Sequence, residues 1–259
     1  MSITILSSNP ILNRSFPAGP ALFFLLSFLS TGPLPPAAAG QNEEAEFARA
    51  RREMVDRQLR ARRIQDPKVL EAMSRVPRHH FVSEQHRGSA YHDRPVPIGE
   101  GQTISQPYVV ALMSEAAELR GDETVLEIGT GSGYQAAVLS RLVKEVYSVE
   151  IIPALAERAR ATLSRLGYRN TWVKEGDGFF GWREKGPFDA ILVTAAAEKV
   201  PAPLWQQLRE EGRLVMPLGS ERQGQRLVRI RKKAGKQHLE DITGVLFVPM
   251  TGTIQSESR

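Results

Sequence analysis

Glycine recurs at alternate positions in Glu127-Ile128-Gly129-Thr130-Gly131-Ser132-Gly133-Tyr134, directly after the apolar pair Val125-Leu126. A buried strand that runs into such a turn, and then into a helix, lets a ligand approach the backbone that a Cβ would block. In open α/β sheets ligands bind there, at the carboxyl ends of the strands. Two chemistries suit the turn. A dinucleotide site wants Gly-x-Gly-x-x-Gly, so that the helix N-terminus meets a pyrophosphate. Here Tyr134 stands where the third glycine belongs, and Glu127 sits two residues before Gly129. A carboxylate aimed into the pocket is unhelpful beside a pyrophosphate but matches the sulfonium and ammonium of S-adenosylmethionine. The methyl donor is therefore favoured over NAD. A tight strand–helix turn with no ligand is the plain alternative.

Two more acidic groups end strand-like runs. Glu150 follows Val146-Tyr147-Ser148-Val149, where a carboxylate can accept both ribose hydroxyls of an adenosine. Asp177, in Glu175-Gly176-Asp177-Gly178, is placed to accept from an adenine amino group, with neighbouring backbone completing the readout. A solvated strand-end charge and an Asp-Gly turn are the bland readings of these two. Three acidic groups on three successive strand ends say more than any one. The expected cofactor set is Glu127, Gly129, Thr130, Gly131, Gly133, Glu150, Asp177 and Gly178.

These residues need a frame of alternating strands and helices, and the apolar pattern supplies one. Residues 124–128, 145–151, 171–174, 188–194 and 213–217 read as strands. Residues 135–143, 153–166 and 201–210 read as helices, and 226–231 with 239–248 as a final antiparallel pair. Strand–helix repetition predicts an α/β fold: a doubly wound, Rossmann-like sheet, mostly parallel, with helices on both faces. Upstream, 43–63 reads as helical and Asp66-Pro67 opens a short helix that Pro77 ends. Residues 78–104 read as irregular, and another helix runs from about Ser105 to 119. Residues 41–259 are expected to form one domain. Its helical, substrate-side part is 41–120 and its cofactor-binding core is 121–259.

A chain of 259 residues, 41% hydrophobic, can bury one sizeable core. The net charge of +5 is thinly spread except at Arg226, Arg229, Arg231, Lys232, Lys233 and Lys236. That cluster reads as a solvated hairpin tip, with a nucleic-acid patch as the alternative. The absence of cysteine excludes disulfides, thiolate zinc sites and cysteine nucleophiles, including the adduct chemistry of pyrimidine C5 methylation. His79 and His80 read as packing residues. No two histidines have metal spacing, so no metal is expected. Residues 1–40 carry one charge, Arg14, then an apolar run at 21–29 and Ala37-Ala38-Ala39, which is signal-peptide-like. The run is too short to span a bilayer, and no stable membrane association is expected. A true signal would send the chain to the periplasm. A start near Met54 would keep it in the cytoplasm.

From about Met54 to Gly252 the chain resembles the protein-L-isoaspartate O-methyltransferases. The carrying segments are Met54-Val55-Asp56-Arg57-Gln58-Leu59, Arg78-His79-His80-Phe81-Val82, Gly101-Gln102-Thr103-Ile104-Ser105-Gln106-Pro107, the glycine turn, residues 175–178, and Phe247-Val248-Pro249-Met250-Thr251-Gly252. The Thr-Ile-Ser-x-Pro segment separates this family from other class I methyltransferases. The resemblance implies S-adenosylmethionine as cofactor and isoaspartyl proteins and peptides as substrates, with no nucleic-acid partner. It implies a catalytic Ser105, with Gln102 and Thr103 lining the site and Thr251 touching substrate. The chain is expected to act as a monomer. Residues 1–40 depart from the family's usual cytoplasmic form. Ser105 also suits a helix-start position before Pro107. A methyltransferase acting on RNA or a small metabolite is the alternative enzyme. It is disfavoured because the fourth strand ends in Thr194-Ala195-Ala196-Ala197 rather than Asn/Asp-Pro-Pro-Tyr/Phe. A non-catalytic nucleotide-binding module is the alternative outside enzymes.

Overall fold

Helix α1 (Pro36–Met54) continues through a wider turn and a 3-10 turn to Arg62, where Arg63 at φ +66° stops it. The computed structural model describes residues 36–257, so residues 1–35 of the signal-like segment lie outside the described residues. Asp66 caps α2 (Pro67–Arg75), accepting from the Lys68 and Val69 amides, and Pro67 fills the first turn, where no N–H is missed. Strands β1 (Val96–Gly99) and β2 (Gln102–Ile104) form a small antiparallel hairpin. It replaces part of the expected irregular stretch. Its turn runs through Gly99, Glu100 and Gly101, all at positive φ. Helix α3 (Pro107–Ala116) follows.

The remaining elements are β3 (Thr124–Ile128), α4 (Tyr134–Leu139), β4 (Glu145–Glu150), α5 (Pro153–Arg165), β5 (Thr171–Glu175), β6 (Phe188–Val193) and α6 (Ala202–Gln207). Then come β7 (Leu208–Ser220), β8 (Gly224–Lys233), β9 (Lys236–Val245) and α7 (Ile254–Glu257). The sheet order is β5-β4-β3-β6-β7-β8-β9. Strands β3 to β7 pair in parallel, and β8 and β9 are antiparallel. This is the expected doubly wound, mostly parallel sheet.

Neighbouring residues on a strand face opposite sides, so both faces must be apolar to bury a central strand. Val125, Val146, Ala190 and Val215 pack on one side with α3, α4 and α5, through Met113, Val138, Leu155 and Leu163. Leu126, Tyr147, Ile191 and Leu214 pack on the other with Phe179, Leu204 of α6 and Ile254 of α7. Truncating any of the fully buried leucines to alanine should cost about 2–5 kcal/mol.

Two expectations shift. The helix read over 201–210 ends at Gln207, because Leu208 is taken into β7 opposite Phe188, and Glu211 at φ +61° marks the bulge that follows. Sheet pairing and burial of Leu208 override a local helical pattern. The basic cluster lies along β8, with only Lys233 and Lys236 beside the hairpin turn. Arg226 pairs with Asp241, Arg229 with Glu118 and Glu240, and Arg231 with Glu118. Lys232 donates to the Trp205 and Leu208 carbonyls. The side-by-side cations are thus mostly engaged within the fold.

Candidate active site

The carboxyl ends of β3, β4 and β6, the β1–β2 hairpin and the chain after β9 line one cleft. Its lining brings together Gln102, Thr103, Ser105, Gly129, Thr130, Gly131, Glu150, Gly178 and Thr251. Glu127, Gly133 and Asp177 are not among the lining residues.

Ser105 stands between β2 and α3. Gln106, not Ser105, is the residue that precedes the helix, and no side chain caps it. The Ser105 hydroxyl therefore has no helix-capping duty. It faces the cleft half-exposed, without a hydrogen bond to the rest of the described protein. A neutral donor left open in a cleft is available to a ligand.

Opposite, Gly131 turns at φ +53°, and a Cβ built on it would approach only Ile98. The Gly131 amide donates to Glu150 Oε2 at 2.7 Å, and the Ile152 amide donates to Oε1 at 3.0 Å. Both carboxylate oxygens are thereby aimed, and each keeps a further lone pair for a hydroxyl. Thr194 donates to the Ile128 and Gly129 carbonyls at 3.0 and 2.7 Å, tying β6 to the glycine turn. Gln135 lines the cleft and donates to Ser114 at 2.9 Å, while its buried Oε1 has no partner. Sequence reading missed Thr194 and Gln135, since neither type nor spacing marks them. A buried acceptor without a donor, in a cleft that also holds the Glu150 carboxylate, fits a ligand rich in donors and positive charge, as S-adenosylmethionine is.

Three expected residues stand back from the lining. Glu127 has no exposed surface, because it shares a strand face with buried Val125 and lies opposite Ser148 of β4. Its Oε2 accepts from the Ser148 hydroxyl at 2.5 Å, Ser148 Oγ is 2.5 Å from Thr130 Oγ1, and Oε1 has no partner. Burial pushes its pKa up to about 8, Ser148 opposes, and nearby Glu150 adds to the rise. The carboxyl thus sits under the turn rather than in the pocket. Gly133 starts α4 at φ +88°, and a Cβ there would press on Ala159 and Leu163 of α5 at 3.4 Å, so it serves helix packing. Asp177 Oδ1 accepts from the Phe179 amide at 2.9 Å and Oδ2 from the Thr253 amide at 2.8 Å. It caps a 3-10 turn and pins the C-terminal segment.

His79 is packed as expected, stacked on Phe47 at 4.1 Å with Nδ1 2.8 Å from the Tyr91 hydroxyl. Burial, then His80, Arg51 and Arg87, push its pKa down to about 3. Glu44, His79 and His80 bring one ligand atom each within 4.8 Å of one another, a grouping the sequence spacing does not disclose. The arginines that repel a proton there repel a metal cation by the same Coulomb force.

A doubly wound sheet with an open, carboxylate-bearing glycine turn at its strand tips defines the class: a Rossmann-like methyltransferase. The family model of protein-L-isoaspartate(D-aspartate) O-methyltransferase matches residues 49–255. The chain is 50% identical over 240 residues to protein-L-isoaspartate O-methyltransferase 2 of Shewanella sediminis (strain HAW-EB3), covering 93% of this chain and 98% of that one. It is 56% identical over 201 residues to the Opitutus terrae protein-L-isoaspartate O-methyltransferase, covering 78% and 86%. A solved protein-L-isoaspartate O-methyltransferase superposes with a TM-score of 0.72 at 31% identity, covering 78% of this chain and 67% of that one. A Plasmodium falciparum structure, described as a putative enzyme of this kind in complex with S-adenosyl-L-homocysteine, gives 0.68 at 26% identity, covering 78% and 98%. The chain belongs to the protein-L-isoaspartate(D-aspartate) O-methyltransferase family.

Proposed function

We infer that this chain transfers a methyl group from S-adenosylmethionine to the free α-carboxylate of L-isoaspartyl residues in damaged proteins and peptides. The observation that carries the reading is the open Ser105 hydroxyl in the same cleft as Gly131 and Glu150. Bound S-adenosylmethionine supplies an electrophilic methyl on a cationic sulfur. Glu150 would accept from the cofactor's ribose hydroxyls, and the Gly131 turn gives the ligand close access to the backbone.

An isoaspartyl α-carboxylate has a pKa of about 3.5 and is ionised at neutral pH, so the chain needs no general base. Its work is alignment and exclusion of water. Holding reacting groups in near-attack geometry supplies roughly 7–11 kcal/mol. Ser105 would donate to one oxygen of the acceptor carboxylate and leave the other free to attack. A single neutral donor suits this, because several strong donors would stabilise the anion more than the transition state. Gln102, Thr103 and Thr251 would flank the acceptor. The methyl ester gives the backbone nitrogen a better leaving group to displace, so a succinimide forms and its hydrolysis returns part of the chain to aspartate.

The partners of this reading are isoaspartyl proteins and peptides, met by a monomer. The engagement of Arg226, Arg229 and Arg231 with carboxylates argues against a nucleic-acid partner. Among the described residues no helix is long and apolar enough to cross a membrane. Ser105→Ala tests the reading. Losing a hydrogen bond to a charged group costs about 1.5–3 kcal/mol, so kcat/KM on an isoaspartyl peptide should fall roughly 10- to 150-fold. Calorimetry should find S-adenosylmethionine affinity unchanged. Wild-type turnover by the variant would refute the role.

A further inference from the structure

Arg78 is wholly buried and in direct contact with the segment that carries Ser105. Its Nε donates to the Ala90 carbonyl at 2.6 Å, and its Nη2 donates to the Ser105 carbonyl at 2.7 Å. Nη1 has no partner, and no carboxylate pairs with the side chain among the described residues. Its Cζ lies 4.7 Å from the centroid of the Tyr134 ring. Tyr134 opens α4 directly after the glycine turn and lines the cleft with Ser105. One guanidinium therefore touches the acceptor side of the cleft through Ser105 and the donor side through Tyr134.

Burial lowers the pKa of this group only to about 10, so it is charged at neutral pH. A buried cation without a counter-ion is costly, and an apolar side chain of similar volume would fill the space more cheaply. Its unbalanced charge also acts at short range in a low dielectric, where its field is strong. The group that would dock at Ser105 is an anion, and the field favours one.

On the reading that the acceptor docks at Ser105, we propose that Arg78 is a positioning residue that fixes the Ser105 segment against Tyr134 and biases the acceptor half of the cleft toward a carboxylate. It reaches substrate only through Ser105 and through its field. A purely structural arginine would affect stability, and cofactor and peptide binding alike. The proposal instead separates the two halves of the site.

The test compares wild type, Arg78→Lys and Arg78→Met. Each is given an isoaspartyl peptide, and a twin bearing a carboxamide in place of the α-carboxylate serves as competitive inhibitor. Calorimetry measures cofactor affinity, and thermal melts check folding. Wild type should prefer the carboxylate at least tenfold. Arg78→Lys keeps the charge but not the fork, so it should keep that preference while kcat falls about tenfold. Arg78→Met should lose the preference to within twofold while cofactor affinity stays within twofold of wild type. Wild-type preference in folded Arg78→Met overturns the proposal. So does loss of the preference in Arg78→Lys, which also decides the matter if the methionine variant does not fold. A wild-type protein that methylates no isoaspartyl peptide sinks the functional reading instead, and the proposal with it.

Discussion

Glu127 shows at the residue scale how a strand-end carboxylate can be placed away from the cleft. It lies opposite Ser148, and burial holds its pKa at about 8, against the ordinary 4.5. An acid whose native pKa is raised keeps its proton longer folded than unfolded. Its contribution is therefore complete below about pH 4.5 and lost as pH climbs toward about 8, at up to about 1.4 kcal/mol per pH unit between. Thermal melts from pH 5 to 8 should show the wild type losing stability and Glu127→Gln losing less; parallel curves would count against a neutral, buried Glu127. Glu150→Ala should weaken S-adenosylmethionine binding by about 1–3 kcal/mol, since it removes the proposed hydroxyl acceptor and leaves the Gly131 and Ile152 amides unpaired. Unchanged affinity by calorimetry would remove Glu150 from the cofactor site. The sequence discloses which residues end strands, and in what order. It does not disclose which way an end-of-strand side chain turns. Glu127 and Asp177 were legible as acidic strand-end groups, yet one is drawn under the turn and the other onto backbone amides.

Among the elements, the chain after β9 closes the cleft although it has no regular structure at 246–250 apart from an isolated bridge. The Phe247 amide donates to Gln225 Oε1 at 2.6 Å, the Ala196 amide donates to the Val248 carbonyl at 2.9 Å, and the Met250 amide donates to the Ala196 carbonyl at 2.7 Å. Asp177 completes the attachment through Thr253. Asp177→Ala should loosen this strap, raise peptide KM more than it lowers kcat, and speed protease cleavage near residue 250. Loss of the cap alone should cost about 0.5–2 kcal/mol. A variant with wild-type KM and protease resistance would show that the strap does not depend on Asp177. The long strands and helices of the core are legible because their apolar spacing is regular. The β1–β2 hairpin is not, because its strands are short and Pro97 and Gly99 read as breakers. The end of α6 is not, because pairing of Leu208 with Phe188 is a long-range choice.

Taken whole, the molecule combines a parallel sheet, whose strand ends line the cleft, with the hairpin, Ser105 and the C-terminal strap; in the proposed function the sheet would hold the methyl donor and the other three the acceptor. The arginines clustered along β8 are tied into ion pairs rather than displayed as one free patch. Discrimination among acceptors should therefore come from the cleft and not from the surface. Methyl release from labelled S-adenosylmethionine tests that most directly, with an isoaspartyl peptide, its aspartyl twin and bulk RNA as parallel acceptors. Sustained transfer to the isoaspartyl peptide alone is the expected result. Transfer to RNA, equal transfer to the aspartyl twin, or cofactor binding with no transfer to any of the three would contradict it.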